Sequence, residues 1–293
     1  MPLIQLEAVS KLYGFGDATT IALDEVSISI DKGEFVAVMG PSGCGKSTLL
    51  NIMGLLDRPT NGIYKLQNRV VERLSQARSA KLRRDTIGFI FQSYNMLPKQ
   101  TVLDNVALPL IYKGVGVTKR LKLASAMLER VGMQNREYFY PTQLSGGQIQ
   151  CAAIARALVN EPSIIIADEP TGNLDSGGSR LVMELLSEIH MMGNTIIFVT
   201  HNPELTRYAT RVVYMRDGRI IQDEPTSLGE VAKIAKQRLY SVESKTIEDD
   251  LAGVSLLMQK VPDKIDLPTS KHKSEKRKTK RTKQSRQNGS TLK

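Results

Sequence analysis

The chain has 293 residues, 41% of them apolar, with 40 Lys/Arg against 30 Asp/Glu and a net charge of +10. That length can bury a core in one large domain or two small ones, and no run of 18 or more uncharged apolar residues is present to span a bilayer. Residues 271–293 hold ten of the basic side chains and one acidic one, so the body is near neutral and the basicity belongs to a tail. A segment of that composition cannot bury a core and is expected to be disordered. Cys44 and Cys151 lie far apart and form no disulfide framework, and the first residues lack the pattern of an export signal. A cytosolic protein is expected.

In chain order, short apolar runs closed by turn residues predict strands at "LIQLEAV", "VSISI", "FVAVMG", "TIGFIF", "SIIIAD", "NTIIFVT" and "RVVYM". Amphipathic helical stretches at 118–131 and 179–192 fall between several of them. This alternation predicts an α/β domain with a largely parallel core sheet, and the helix-free N-terminal strands predict an antiparallel edge beside it. "YMRDGRII" reads as a hairpin turning at Asp217-Gly218. The pattern changes near Pro225. The expected organisation is a catalytic domain over 1–225, a helical appendage over 226–270 with helices near 228–238 and 247–258, and the tail over 271–293.

"GPSGCGKST", residues 40–48, follows the predicted strand "EFVAVM" and opens the predicted helix "STLLNIMGLL". Gly40, Pro41, Ser42, Gly43, Cys44 and Gly45 form a loop whose backbone N–H groups can converge on phosphate oxygens. Lys46 then reaches the β- and γ-phosphates, Ser47 can ligate Mg²⁺, and Thr48 continues the helix start. The bland alternative, a tight glycine turn, does not explain a lysine and a hydroxyl at the helix mouth. Cys44, at a helix N-terminus, is expected to be a reactive thiol whose alkylation blocks ATP binding.

The acidic pair in "IIIADEP" ends an apolar strand, and parallel strands deliver their carboxyl ends to the ligand side of such a sheet. Asp168 is expected to hold Mg²⁺ through water and Glu169 to accept the proton of an attacking water. By itself such a pair is more often a solvated loop; the phosphate loop reverses that reading. "IIFVTH" ends in His201, placed to contact the γ-phosphate, where the alternative is a loop cap. Gln92, after "IGFIF", is either a surface glutamine or a sensor of metal and γ-phosphate.

"LSGGQIQCAAIARAL", residues 144–158, adds a second anion-binding helix start at Ser145, Gly146, Gly147 and Gln148. One chain has no need of two unless ATP is sandwiched between two copies. In a two-fold dimer the 145–147 patch of each subunit closes on the γ-phosphate held by the other.

The motifs "GPSGCGKS", "LSGGQ", "ADEP", "NLD" (173–175) and His201, in that order and spacing, resemble those of ABC-type ATPases over roughly residues 1–225. The resemblance implies a P-loop NTPase core sheet with an antiparallel β subdomain and a helical subdomain, and ATP with Mg²⁺ as cofactors. It implies that Tyr13 stacks on adenine, that Asp175 communicates across the homodimer, and that Gln92 lies in the loop touching the membrane partner. "GLLDRPTNG", "FQSYNMLPKQTVLDNVALPL" and "ADEPTGNLDS" are similar to the lipoprotein-releasing and macrolide-exporter group, with the cell-division ATPase close by. A separate permease with few membrane helices and a large extracytoplasmic domain is the implied partner, placing this chain peripherally on the cytoplasmic side of the membrane. A signalling ATPase that drives an extracytoplasmic enzyme without transport shares every motif. The sequence departs from the family at Ile149 and Cys151, where a polar residue and an arginine are usual, and a less firmly tethered signature helix is expected. The tail is read as a solubilising extension, a contact for anionic lipid, or, with no aromatic for base stacking, a weak attractor of nucleic acid. A soluble ABC protein acting on nucleic acid is disfavoured, since about a hundred residues between Lys46 and Ser145 leave no room for a coiled-coil insertion.

Overall fold

The computed structural model describes residues 2–14 and 18–226. β1 (Pro2–Tyr13) and β2 (Thr20–Asp31) pair antiparallel, and β2 buries Leu23, Val26, Ile28 and Ile30 while its other residues face outward. The period of two from Val26 to Ile30 is a half-buried strand, and a register shift against β1 separates it from Leu23. β3 (Phe35–Met39) is apolar and buried at every position, as a strand covered on both faces must be. It runs into the loop at 40–45 and then α1 (Lys46–Met53). β4 (Asn61–Leu66) and β5 (Arg69–Val70) return to the first pair, giving a four-stranded antiparallel sheet in the order β2-β1-β4-β5. The sequence led us to expect an antiparallel edge; the structure builds a separate sheet. Its β4–β5 hairpin turns on Gln67 and Asn68, both with positive φ (50° and 60°), a pairing whose twist suits a two-residue turn.

α2 (Gln76–Thr86) leads to β6 (Ile87–Phe91), and α3 (Val102–Tyr112) and α4 (Val117–Arg130) form a helical pair. There follow α5 (Gly146–Leu158), β7 (Ile164–Asp168), α6 (Ser176–Met191), β8 (Thr195–Val199), β9 (Arg211–Arg216) and β10 (Arg219–Pro225). The six-stranded core sheet has the order β10-β9-β3-β8-β7-β6, parallel except for β10. The β9–β10 turn at Asp217-Gly218 has both φ positive, as its sequence predicts.

Successive residues of β3 serve two cores. Phe35, Ala37 and Met39 join α3, α4, α5 and α6, whereas Val36 and Val38 join α1 and the inner face of the antiparallel sheet. Each strand is thereby fixed in register, because a one-residue slip would exchange its two faces. The register pairs Val38 with Val199, Val199 with Asp168, and Asp168 with Phe91. The ends of four parallel strands therefore lie in one row, and the loops leaving them carry Gly40, His201, Glu169 and Gln92. Among the described residues no helix is long and apolar enough to cross a membrane. β10 ends at Pro225; the expected appendage (226–270), beyond Thr226, and the tail (271–293) lie outside the described residues.

Candidate active site

The loop at 40–45 passes into α1 at Gly45, which has φ 100°. A Cβ there would lie 2.3 Å from the Ala22 carbonyl oxygen of β2, so both conformation and space demand glycine. Lys46 is buried, and its ammonium donates to the carbonyls of Gly40 (2.9 Å) and Pro41 (2.7 Å). The charge thus sits inside the curl of the loop, where phosphate oxygens can replace the carbonyls. The N–H groups of the first turn of α1 have no partners within the helix and point the same way.

Ser47 Oγ donates to Asp168 Oδ1 at 3.4 Å, joining the helix start to the end of β7. Burial pushes the Asp168 carboxyl above its ordinary range, and neighbouring Glu169 adds to this, while the Ser47 hydrogen bond and Lys46 oppose it. Two hard oxygen donors facing each other across a long hydrogen bond suit Mg²⁺, which takes few protein ligands and completes its shell with phosphates and water. Among the described residues there is no cluster of three or more His, Cys, Asp or Glu.

Glu169 has φ 45°, a strained conformation for a non-glycine residue that costs on the order of 1–3 kcal/mol. It is held by Glu169 N–H donating to Val199 O (3.2 Å) and Gly172 N–H donating to Glu169 O (3.0 Å). The turn sets Glu169 Oε1 3.2 Å from His201 Nδ1 across β7 and β8. A Cβ on Gly172 would fall 2.6 Å from Gln92 Nε2 and 3.2 Å from Glu169 Oε2, so this glycine lets Gln92 and Glu169 approach each other from the ends of neighbouring strands. Lys46, Ser47, Gln92, Asp168, Glu169 and His201 are therefore brought together.

The second helix start is built differently. Ser145 caps α5: its Oγ accepts from Gln148 N–H (3.4 Å), and Gln148 Oε1 accepts from Ser145 N–H (3.0 Å). This reciprocal pair fixes the backbone while leaving Gly146 and Gly147 without side chains to cover their N–H groups. Asp175 caps α6, accepting from Gly178 N–H at 2.7 Å, and a Cβ on Gly147 would lie 3.7 Å from Gly178 Cα. The two helix starts are packed side by side.

Tyr13 ends β1 and is 43% exposed, and its hydroxyl donates to Asp57 Oδ2 at 2.8 Å.

Several contacts escaped sequence reasoning. Arg156 of α5 donates to the carbonyls of Asn95 (2.5 Å) and Tyr94 (2.6 Å), holding two left-handed residues of the loop after Gln92. Asn173 Nδ2 donates to Gln92 O, and buried Gln150 Nε2 donates to Pro170 O (2.6 Å). The alternation of Gln, Asn and Arg around the motifs hints at polar ties but not at their partners. Ile149 is half-buried, and Cys151 is buried in the helix-side core, where desolvation pushes its thiol up to about 11. The signature helix is nevertheless tethered, by Gln150 and Arg156. Cys44 requires a correction: its thiol is buried in the other core, with Lys46 Nζ 3.9 Å from Sγ, and is closed to a reagent in the folded chain. The motif places Cys44 in the loop, but its side chain points beneath the loop into the core, where burial shields it.

A family model described as "ABC transporter" matches residues 23–172. The macrolide export ATP-binding/permease protein MacB of Hyphomonas neptunium is 49% identical over 222 residues, 76% of this chain and 34% of that protein. This chain thus spans about a third of the macrolide exporters it matches. An uncharacterised ABC transporter ATP-binding protein, MJ1508 of Methanocaldococcus jannaschii, is 49% identical over 75% of this chain and 98% of its own length. Among solved structures, the dimeric post-hydrolysis state of the ATP-binding cassette MJ0796, bound to ADP and Pi, is 43% identical. It superposes with a TM-score of 0.71, over 76% of this chain and 98% of that one. With the phosphate loop, the acid–histidine pair and the capped glycine helix on one sheet, these matches establish that the chain belongs to the ABC transporter family as an ATP-binding and ATP-hydrolysing cassette.

Proposed function

We propose that two copies of this chain sandwich two ATP·Mg²⁺ and that the cycle of closing and opening drives a separate membrane permease. The observation that carries the reading is the contact of Glu169 with His201 at the strand ends beside Lys46 and Ser47. Bound Mg²⁺ would be held by Ser47 and, through water, Asp168, and would neutralise phosphate charge. Glu169 takes the proton of the attacking water, His201 steadies that water, and Lys46 holds the β- and γ-phosphates. Gln92 approaches from β6 to report whether the γ-position is filled. Ser145, Gly146 and Gly147 close on that phosphate from the second copy, with Asp175 beside them, and Tyr13 stacks on the base.

The permease is placed at a groove of about 740 Å³ next to the Gln92 loop, lined by Phe89, Phe91, Leu108, Pro109 and Tyr112 with Arg84 at its edge. Tyr112 is 70% exposed there, an apolar surface suited to an apolar partner segment. The macrolide exporters are ATP-binding/permease proteins that join both functions in one chain, which supports such a partner. The chain is then peripheral on the cytoplasmic face, where residues 271–293 meet anionic lipid. To test this, Glu169→Gln protein is purified from native membranes with ATP present. A polytopic protein with a large extracytoplasmic domain is expected with it; ribosomal or nucleic-acid components without a membrane protein would contradict the reading.

A further inference from the structure

Asp57 follows α1 in "GLLDRP", with its N–H bonded to Asn51 O of that helix at 3.1 Å. Its carboxylate collects three donors: Lys11 Nζ (2.7 Å) and Arg58 N–H (2.7 Å) on Oδ1, and Tyr13 Oη (2.8 Å) on Oδ2. Lys11 also donates to Arg58 O (2.9 Å), and its ammonium stands 4.9 Å from the centroid of the Tyr13 ring. Burial alone would raise the Asp57 carboxyl, but the hydrogen bonds from Lys11, Tyr13 and Arg58 hold it below its ordinary range. It therefore remains an ionised acceptor at neutral pH.

This geometry restricts the ring in two ways. The phenol donates to Asp57, which commits its hydroxyl and holds its torsion. One ring face is taken by the Lys11 ammonium, which leaves the opposite face for a flat, apolar-faced group. We infer that Asp57, with Lys11, is a positioning residue that sets the Tyr13 ring in the plane needed to stack on the nucleotide base. The inference rests on the base-stacking role of Tyr13 and assigns how that role is prepared before nucleotide arrives. Preorganisation of this kind raises affinity by removing the rotamer freedom that binding would otherwise have to freeze.

The test compares ADP, which carries a base, with pyrophosphate, which does not, by calorimetric titration of the full chain. Asp57→Ala should weaken ADP about fivefold, as loss of a well-oriented aromatic stack would, and leave pyrophosphate affinity unchanged. Tyr13→Phe, which keeps the ring and removes the hydroxyl, should match that loss, and the double variant should lose no more than either single one. Asp57→Asn, whose amide oxygen still accepts from Tyr13, should recover most of the affinity. An equal loss of ADP and pyrophosphate binding in Asp57→Ala would reduce Asp57 to a brace for the phosphate loop and overturn the inference. Wild-type ADP affinity in Asp57→Ala, with a loss in Tyr13→Ala, would also overturn it while leaving base stacking intact. Wild-type ADP affinity in Tyr13→Ala would remove base stacking, and the inference with it.

Discussion

At Lys46 the helix start is wrapped by its own loop, with the ammonium buried and bonded to two loop carbonyls and glycine packed directly against β2. At Ser145 the helix start stands open: Ser145 is exposed and exchanges hydrogen bonds with Gln148, while Gly146 behind it packs against Tyr94 and Leu174. Both offer the same backbone chemistry to an anion, yet one supplies the counter-charge and the enclosure itself, while the other has neither. A site that lacks its own enclosure becomes complete when another surface supplies it, and a second copy of this chain carries the matching phosphate. On the function proposed above, the difference between the two helix starts is what makes ATP the adhesive of a dimer.

The largest break in this comparison should come from the chemistry the two helix starts flank. Replacing Glu169 with Gln keeps the shape and removes the base, and hydrolysis should fall by about 10²–10⁴-fold, read as phosphate release in a single turnover. Binding of ATP should survive. Next, Lys46→Ala removes the buried charge from the enclosed site, and ATP affinity should fall by about a hundredfold, the scale of lost charge-assisted hydrogen bonds. The open site should respond otherwise. Ser145→Asp keeps a capping oxygen at the exposed helix start but sets a carboxylate where the partner's γ-phosphate must come. Hydrolysis should drop about tenfold or more, since the penalty is like-charge repulsion at close range, while ADP affinity stays at the wild-type value. If ADP affinity fell in step with hydrolysis, the two helix starts would not be independent.

The smallest effect concerns the thiols. Cys44 and Cys151 are buried, so neither should react with iodoacetamide in the folded chain, and ATP should offer no protection because none is needed. Mass spectrometry before and after denaturation checks this. Cys151 has a further pH signature. Its thiol ionises near pH 9 when unfolded and near 11 when folded, so the native chain holds the proton longer and stability falls as pH rises from 9 to 11. Denaturant titrations of the wild type should show that slope, and Cys151→Ala should lose it.

The sequence revealed most where one residue type serves one local purpose. The all-apolar strands at 35–39, 164–168 and 195–199, the Gly-Lys-Ser helix start and the Asp217-Gly218 turn were each legible because strand burial, phosphate geometry and left-handed turns demand particular side chains. The β4–β5 hairpin was missed because Ile63 and Val70 are exposed and its apolar alternation is short. Arg156 on Tyr94 and Asn95, Gln150 on Pro170 O, and Asp57 beneath Tyr13 were also missed. Each bridges residues 20 to 62 apart in sequence, and their partners are mostly backbone carbonyls, which carry no residue signal. Cys44 was misjudged for a related reason: the motif tells which loop it occupies, but only the packing of β2, β3 and α1 tells which side of the loop its thiol faces.

The central claim is that the open helix start of one copy closes on the nucleotide held by another. It is tested most directly by light scattering on a size-exclusion column with Glu169→Gln protein, with and without ATP. The account predicts a doubling of mass with ATP, no change with ADP, and no doubling with ATP when Ser145→Asp is added. A chain that remains monomeric at saturating ATP, or that dimerises equally well with Ser145→Asp, would contradict it.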